Sequence, residues 1–168
     1  MIPPHPPTAG DFVNTHVHTV SPETPLEEIV AFLLKHGISN APVVETDAAG
    51  GRRLVGFLSE GDCLEQLSNE LFFGRPSQPQ TAATIMRRHP VCVAPETDVF
   101  TLASLFATHR FRHLPVVEQD RFVGIVSRRD ILRALEGYYR RMLQAGEDER
   151  QLGQWQQTIN YRLLARTL

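Results

Sequence analysis

The sequence predicts a mixed α/β (α+β) protein made of two tandem copies of one strand-helix-strand-strand-helix unit, followed by a helical tail. Three observations predict it. First, the same segments occur twice: Val20-Ser-Pro-Glu-Thr24 returns as Val93-Ala-Pro-Glu-Thr97, Ala41-Pro-Val-Val-Glu45 as Leu114-Pro-Val-Val-Glu118, and Val55-Gly-Phe-Leu-Ser59 as Val123-Gly-Ile-Val-Ser127. Second, each copy carries apolar residues at the i, i+3, i+4, i+7 spacing of a helix with one buried stripe. Third, each stripe is followed by two short apolar runs joined by a polar turn, the pattern of an antiparallel hairpin.

The register of the repeat is internally consistent. Thr8 and Thr81, His16 and His89, and Pro42 and Pro115 lie 73 positions apart, whereas Gly56 and Gly124, and Asp62 and Asp130, lie 68 apart. The difference places five extra residues in the first copy, within the polar, glycine-bearing stretch from Thr46 to Arg53, which predicts a longer hairpin loop there. The organisation is then a first repeat over 8–73, a linker over 74–80 with Gly, Pro, Ser and Gln, a second repeat over 81–136 and a tail over 137–168.

Each copy opens with a turn, Asp11 to Val13 or Thr84 to Met86, and an opening strand. Its first helix carries Leu26, Ile29, Val30 and Leu33 inward, or Val99, Leu102, Ala103 and Phe106. Thr24 and Thr97 are placed as N-caps, where a hydroxyl accepts from an otherwise unpaired first-turn N–H, and Gly37 is placed as a stop. The strands run from Ala41 to Val44 and Leu54 to Leu58, or Leu114 to Val117 and Phe122 to Val126. A second helix starts at Ser59 or Ser127 and turns Cys63, Leu64 and Leu67, or Ile131, Leu132 and Leu135, inward. In the tail, Leu152, Trp155, Ile159 and Leu163 keep helical spacing while Gly146 and Gly153 weaken the helix, and the stripe needs cover from its own domain or a second chain.

Composition narrows the function. The 168 residues are 42% hydrophobic, enough for an ordinary core, and 17 basic against 19 acidic residues give a net charge of −2, with no pull toward nucleic acid. Cys63 and Cys92 fall at non-equivalent positions, which reads as reduced thiols. Neither a signal-peptide pattern nor an apolar run approaching the ~20 residues of a membrane span is present, so a soluble cytoplasmic protein without membrane insertion is expected.

The motif with chemical content is Gly-h-h-Ser-x-x-Asp, where h is apolar: Gly56-Phe-Leu-Ser59-Glu-Gly-Asp62 and Gly124-Ile-Val-Ser127-Arg-Arg-Asp130. A strand feeding directly into a helix start presents free N–H groups and the positive end of the helix dipole, which suits a phosphate. An aspartate one turn in can accept two hydrogen bonds, which suits the vicinal hydroxyls of a ribose. Ser-x-x-Asp is equally a capping box, in which serine caps the helix and the acid reaches back to the cap N–H. Both readings stand at this point.

Both copies resemble cystathionine-β-synthase (CBS) domains. The resemblance rests on Thr84-Ile-Met-Arg-Arg-His-Pro90 leading into Val93-Ala-Pro-Glu-Thr97, then Phe111-Arg-His-Leu-Pro-Val-Val117 and Val123-Gly-Ile-Val-Ser-Arg-Arg-Asp-Ile131, with weaker counterparts in the first copy. It implies two units packed through their sheets about a pseudo-two-fold axis, with two clefts for an adenosine-containing ligand such as AMP, ADP, ATP or S-adenosylmethionine, with or without magnesium. Carried over by motif position, Asp130 holds ribose hydroxyls, Ser127 and the helix start face phosphate, and Cys92, Val93, His113, Leu114 and Pro115 line the base. The first cleft uses Asp62, Ser59, Thr19, Val20, Asn40, Ala41 and Pro42.

The two sets differ in charge. Arg128, Arg129, Arg112 and His113 stand where the first copy has Glu60, Gly61, Ser39 and Asn40, so the Asp130 cleft is expected to take the phosphorylated ligand and the Asp62 cleft to be empty, weak or suited to a less anionic one. No metal site is expected from His5, His16 and His18, which lack a completing acid or thiol, and no catalysis from Ser59 or Ser127, which lack marked His/Asp partners. Tyr138-Tyr-Arg-Arg141 reads as the partly packed end of a helix. The expectation is a non-enzymatic regulatory module that pairs as a homodimer and acts on an unidentified regulated protein; the competing reading is a scaffold that binds no ligand.

Overall fold

The computed structural model describes residues 6–74 and 78–145. A 3-10 turn, Ala9–Asp11, precedes α1 (Leu26–His36), β1 (Asn40–Thr46), β2 (Arg52–Ser59), α2 (Glu60–Phe73), α3 (Ala82–Ile85), β3 (Arg87–Arg88), α4 (Val99–His109), β4 (His113–Glu118), β5 (Arg121–Ser127) and α5 (Arg128–Ala145). β1, β2 and β3 form a three-stranded antiparallel sheet in that order, and β4 and β5 a two-stranded one. No described helix is long and apolar enough to cross a membrane.

The chain divides into two compact units, and both draw on both repeats. One comprises Asn14–Val93 with Pro115–Ile125; the other comprises the described residues up to Val13, Ala94–Leu114, and the described residues from Val126 to Ala145. The reason is an exchange of leader segments. The Leu26 N–H donates to the Gln80 carbonyl at 2.9 Å, the Ala82 N–H donates to the Thr24 carbonyl at 2.9 Å, and Pro25 bridges Thr81. In the second unit the Val99 N–H donates to Pro7 at 2.8 Å, Ala9 donates to Thr97 at 2.8 Å, and Thr8 bridges Asp98. Each leader thus satisfies orphan backbone groups at the start of the other repeat's first helix.

These bonds alter the expected caps. Thr24 does not cap α1: its hydroxyl accepts from the Ser21 N–H at 3.2 Å and closes the preceding turn, and Pro25 occupies the cap position with no side-chain bond. Thr97 does not cap α4 either. The Asp98 carboxylate, one residue on and charged, accepts from Phe100 and Thr101 N–H, both at 3.1 Å. Gly37 stops α1 as expected at φ 60°, and Arg110 adopts the same left-handed conformation after α4 at φ 53°.

The opening strands are reduced to single residues. Val20 donates to Pro42 and accepts from Val44, and Val93 donates to Pro115 and accepts from Val117, each making one parallel bridge. Pro22 and Pro95, two residues on, lack the N–H that would extend a ladder. The expected long loop lies between β1 and β2, where Asp47 Oδ1 accepts from Ala49 and Gly51 N–H at 2.9 and 2.7 Å. Its counterpart is a two-residue turn with Gln119 and Asp120 at φ 47° and 63°.

The core of the first of these units joins Val20, Leu26, Ile29, Leu33, Ala41, Val43, Leu58, Cys63 and Ala82. Ala82 comes from the second leader, so the exchange is hydrophobic as well as hydrogen-bonded. Leu64 and Leu132 are not inward: each is 66% exposed. They follow the buried Cys63 and Ile131 by one residue, a 100° step around the helix that carries them off the stripe. α5 continues through residues 137–145, where Tyr138 is buried and meets Phe100 edge-on at 5.6 Å. Gly146, Leu152, Gly153, Trp155, Ile159 and Leu163 lie outside the described residues.

Candidate ligand-binding sites

At the start of α2 the Ser59 N–H and hydroxyl both donate to Asp62 Oδ2, at 2.8 and 2.6 Å, and the Asp62 N–H donates back to Ser59 Oγ at 3.3 Å. This is the capping box in full, so the structural role of Ser-x-x-Asp is realised here. The other carboxylate oxygen, Oδ1, meets Arg87 Nε at 3.2 Å. Gly56, the motif's glycine, is needed for packing, because Met86 fills the space of any β-carbon placed on it.

The remaining first-set residues sit around the same β1–β2 end. Asn40 pairs across from Ser59 and Ala41 across from Leu58, and the Glu60 N–H donates to the Ser39 carbonyl at 2.9 Å. Val20, Ala41 and Pro42 are buried in the core. Thr19 Oγ1 accepts from Arg52 Nη2 at 3.4 Å, while the Arg52 guanidinium lies 5.1 Å from the centre of the Phe122 ring. A separate cleft of about 310 Å³ in this unit is lined by Pro22, Val55, Met86, Arg88, His89 and Pro90 among others, and by none of the first-set residues.

At the start of α5 the Ser127 hydroxyl donates to Asp130 Oδ2 at 2.5 Å and the Asp130 N–H donates to Ser127 Oγ at 3.2 Å. Oδ1 has Arg133 Nη1 of its own helix at 3.5 Å. The Arg128 N–H donates to the Arg112 carbonyl at 3.0 Å, so the backbone joins the segment before β4 to the helix start. Arg112, Arg128 and Arg129 are exposed, and Leu114 is buried. Half-buried His113 has its pKa lowered by burial, with Arg112 acting in the same direction and Asp130 opposing. Cys92, Val93 and Pro115 belong to the other unit, where Val93 is bonded to Pro115 and exposed Cys92 donates its thiol to the Pro90 carbonyl at 3.2 Å.

The structure therefore gathers Ser127, Arg128, Asp130, Arg112 and His113 in one unit, and Ser59, Asp62 and Asn40 in the other. Sequence reading missed Arg87. Its counterpart 73 positions earlier is Asn14, so the cation was visible as a difference between copies, but its partner depends on the leader exchange. His18 packs against Phe32 and His36, with ring centres 5.8 and 4.0 Å away, and no group of three His, Cys, Asp or Glu side chains at metal-ligand spacing occurs among the described residues.

A family model described as CBS domain matches residues 9–69 and 82–137. The CBS domain-containing protein YhcV of Bacillus subtilis is 30% identical over 121 residues, covering 72% of this chain and 80% of that protein. An inosine-5'-monophosphate dehydrogenase of Korarchaeum cryptofilum is 31% identical over 124 residues, 73% of this chain but only 23% of that enzyme. Among solved structures, CBSX2 in complex with AMP superimposes with a TM-score of 0.63 at 28% identity, covering 78% of this chain and 97% of that one.

Proposed function

The chain belongs to the CBS domain family, and on that premise we propose that it is a non-catalytic regulatory module that binds an adenosine-containing ligand and responds by changing conformation or association. The observation that carries this reading is the start of α5. There Asp130 keeps one carboxylate oxygen on Ser127 and meets Arg133 of its own helix with the other at 3.5 Å, at a helix start where Arg128 and Arg129 are exposed and the backbone is bonded to exposed Arg112. A carboxylate suits ribose hydroxyls, and exposed guanidiniums at the positive end of a helix dipole suit phosphate. The AMP complex of CBSX2 supports the class of ligand.

AMP, ADP and ATP fit this charge better than S-adenosylmethionine, and magnesium would accompany a polyphosphate. The ligand acts only as far as it binds one arrangement more tightly than another. We place the module in the cytoplasm as a homodimer that acts on a further protein. Self-association is supported by exposed Leu64, Leu71, Phe72 and Phe73 on α2, and Leu132, Tyr139 and Leu143 on α5.

A melting-temperature panel of AMP, ADP, ATP, S-adenosylmethionine and NAD, with and without magnesium, tests the reading. A ligand at a hundredfold excess over its dissociation constant adds about 2.7 kcal/mol, an easily seen rise. The rise should vanish in Asp130→Ala. A flat panel favours the scaffold reading, which already has one observation on its side, the fully closed capping box at Asp62.

A further inference from the structure

We propose that Arg87 is an internal competitor for the Asp62 carboxylate and thereby sets the selectivity of the first site, admitting a neutral ribose-bearing ligand only in exchange for an ion pair. This rests on the adenosine reading above and deepens it.

Asp62 has two oxygens to offer. Oδ2 is committed to the Ser59 N–H and hydroxyl, so Oδ1 is the oxygen left to accept from a ligand hydroxyl, and Arg87 Nε holds it at 3.2 Å. The Arg87 backbone is fixed by β3, with Arg87 paired to Phe57 and Arg88 to Gly56, so its side chain is delivered to this spot by the sheet. Asp62 is 14% exposed and Arg87 78%. The guanidinium is therefore mostly hydrated and can leave at small cost, while the carboxylate stays in place.

Among the described residues the second repeat has no such arrangement. Asn14 takes the place of Arg87, forms the equivalent backbone bridge to Ile125, and spends its side-chain carbonyl on the His16 N–H at 3.0 Å. The cation near Asp130 Oδ1 is Arg133 of the same helix, at the longer 3.5 Å. The two sites consequently respond to salt with opposite sign. Salt screens the Arg87–Asp62 pair and frees Oδ1 for a neutral ligand, whereas it weakens the hold of arginines on phosphate.

The test is calorimetric titration of the full chain with two probes, adenosine and ATP. In an Asp130→Asn background, which removes the second site, Arg87→Gln should tighten adenosine binding about two- to fivefold at low salt, the range set by exposed ion pairs. Added salt should tighten adenosine binding with Arg87 present and leave the Arg87→Gln protein unchanged. In the otherwise wild-type chain, ATP binding should weaken with salt.

Equal adenosine affinity with and without Arg87, or weakening by salt, overturns the competitor role while ATP binding sensitive to Asp130→Asn leaves the adenosine reading intact. Binding of neither probe to any variant overturns both. Arg87 is a surface side chain, so matched unfolding curves will confirm that the variants differ at the site and not in the fold.

Discussion

Met86 occupies the volume that any side chain on Gly56 would need, so the glycine of the first Gly-h-h-Ser-x-x-Asp motif is held by a methionine from the other repeat. Gly56→Ala should overpack this contact and cost about 1–3 kcal/mol. Met86→Ala in the same chain should recover part of the loss, and urea unfolding of the two single variants and the double will show that coupling.

Asp98 holds two first-turn N–H groups of α4, whereas Thr97 holds none with its side chain. Asp98→Ala is expected to cost about 0.5–2 kcal/mol and Thr97→Ala much less. Thermal unfolding that ranks them the other way would restore Thr97 as the cap.

Arg110 sits in the left-handed region at φ 53°, in the place that Gly37 fills after α1. Arg110→Gly relieves a strain of about 1–2 kcal/mol, offset in part by the freer unfolded chain. A modest rise in melting temperature is the expected result, and Gly37→Arg should lower it.

His113 has its pKa lowered from 6.5, chiefly by burial. The folded state then binds fewer protons than the unfolded state, so stability rises with pH through the interval below 6.5 and is lost as the pH falls through it. Unfolding free energies measured across that interval should slope upward with pH, and His113→Asn should remove its share of the slope. A steeper slope in the variant would contradict the burial argument.

Leu71 and Phe72 expose 86% and 82% of their surface near the end of α2. If the proposed self-association uses this face, Leu71→Glu with Phe72→Glu will lower the sedimentation coefficient to that of a monomer without lowering the melting temperature. Sedimentation unchanged from the parent chain would rule this face out as the seam.

The sequence made the local architecture legible, because periodicity and caps are local. The stripes of α1 and α4, the Gly37 stop, the long first hairpin loop and the helix starts at Ser59 and Ser127 all follow from neighbours a few residues apart. Leu64 and Leu132 misled because each stands one 100° step from the buried Cys63 or Ile131, on the side away from the core, and apolar character alone does not show on which side of the buried residue a stripe continues. Arg87 stayed hidden because its partner lies 25 residues back and is reached only through a backbone pairing between β3 and β2. Thr24 failed as a cap for the same reason: the bond that starts α1 comes from Gln80.

The leader exchange also says something about ancestry. A lone copy of this repeat would find no second leader to start its first helix, so in a one-repeat ancestor the bonds now made by Gln80 with Leu26 and by Pro7 with Val99 would have had to run between two chains. Within one chain that meeting is intramolecular, so it depends on a fixed effective concentration and not on the concentration of protein. A chain cut between the repeats would return to the older condition: two fragments, each lacking what the other carries, that regain their helix starts only by mixing.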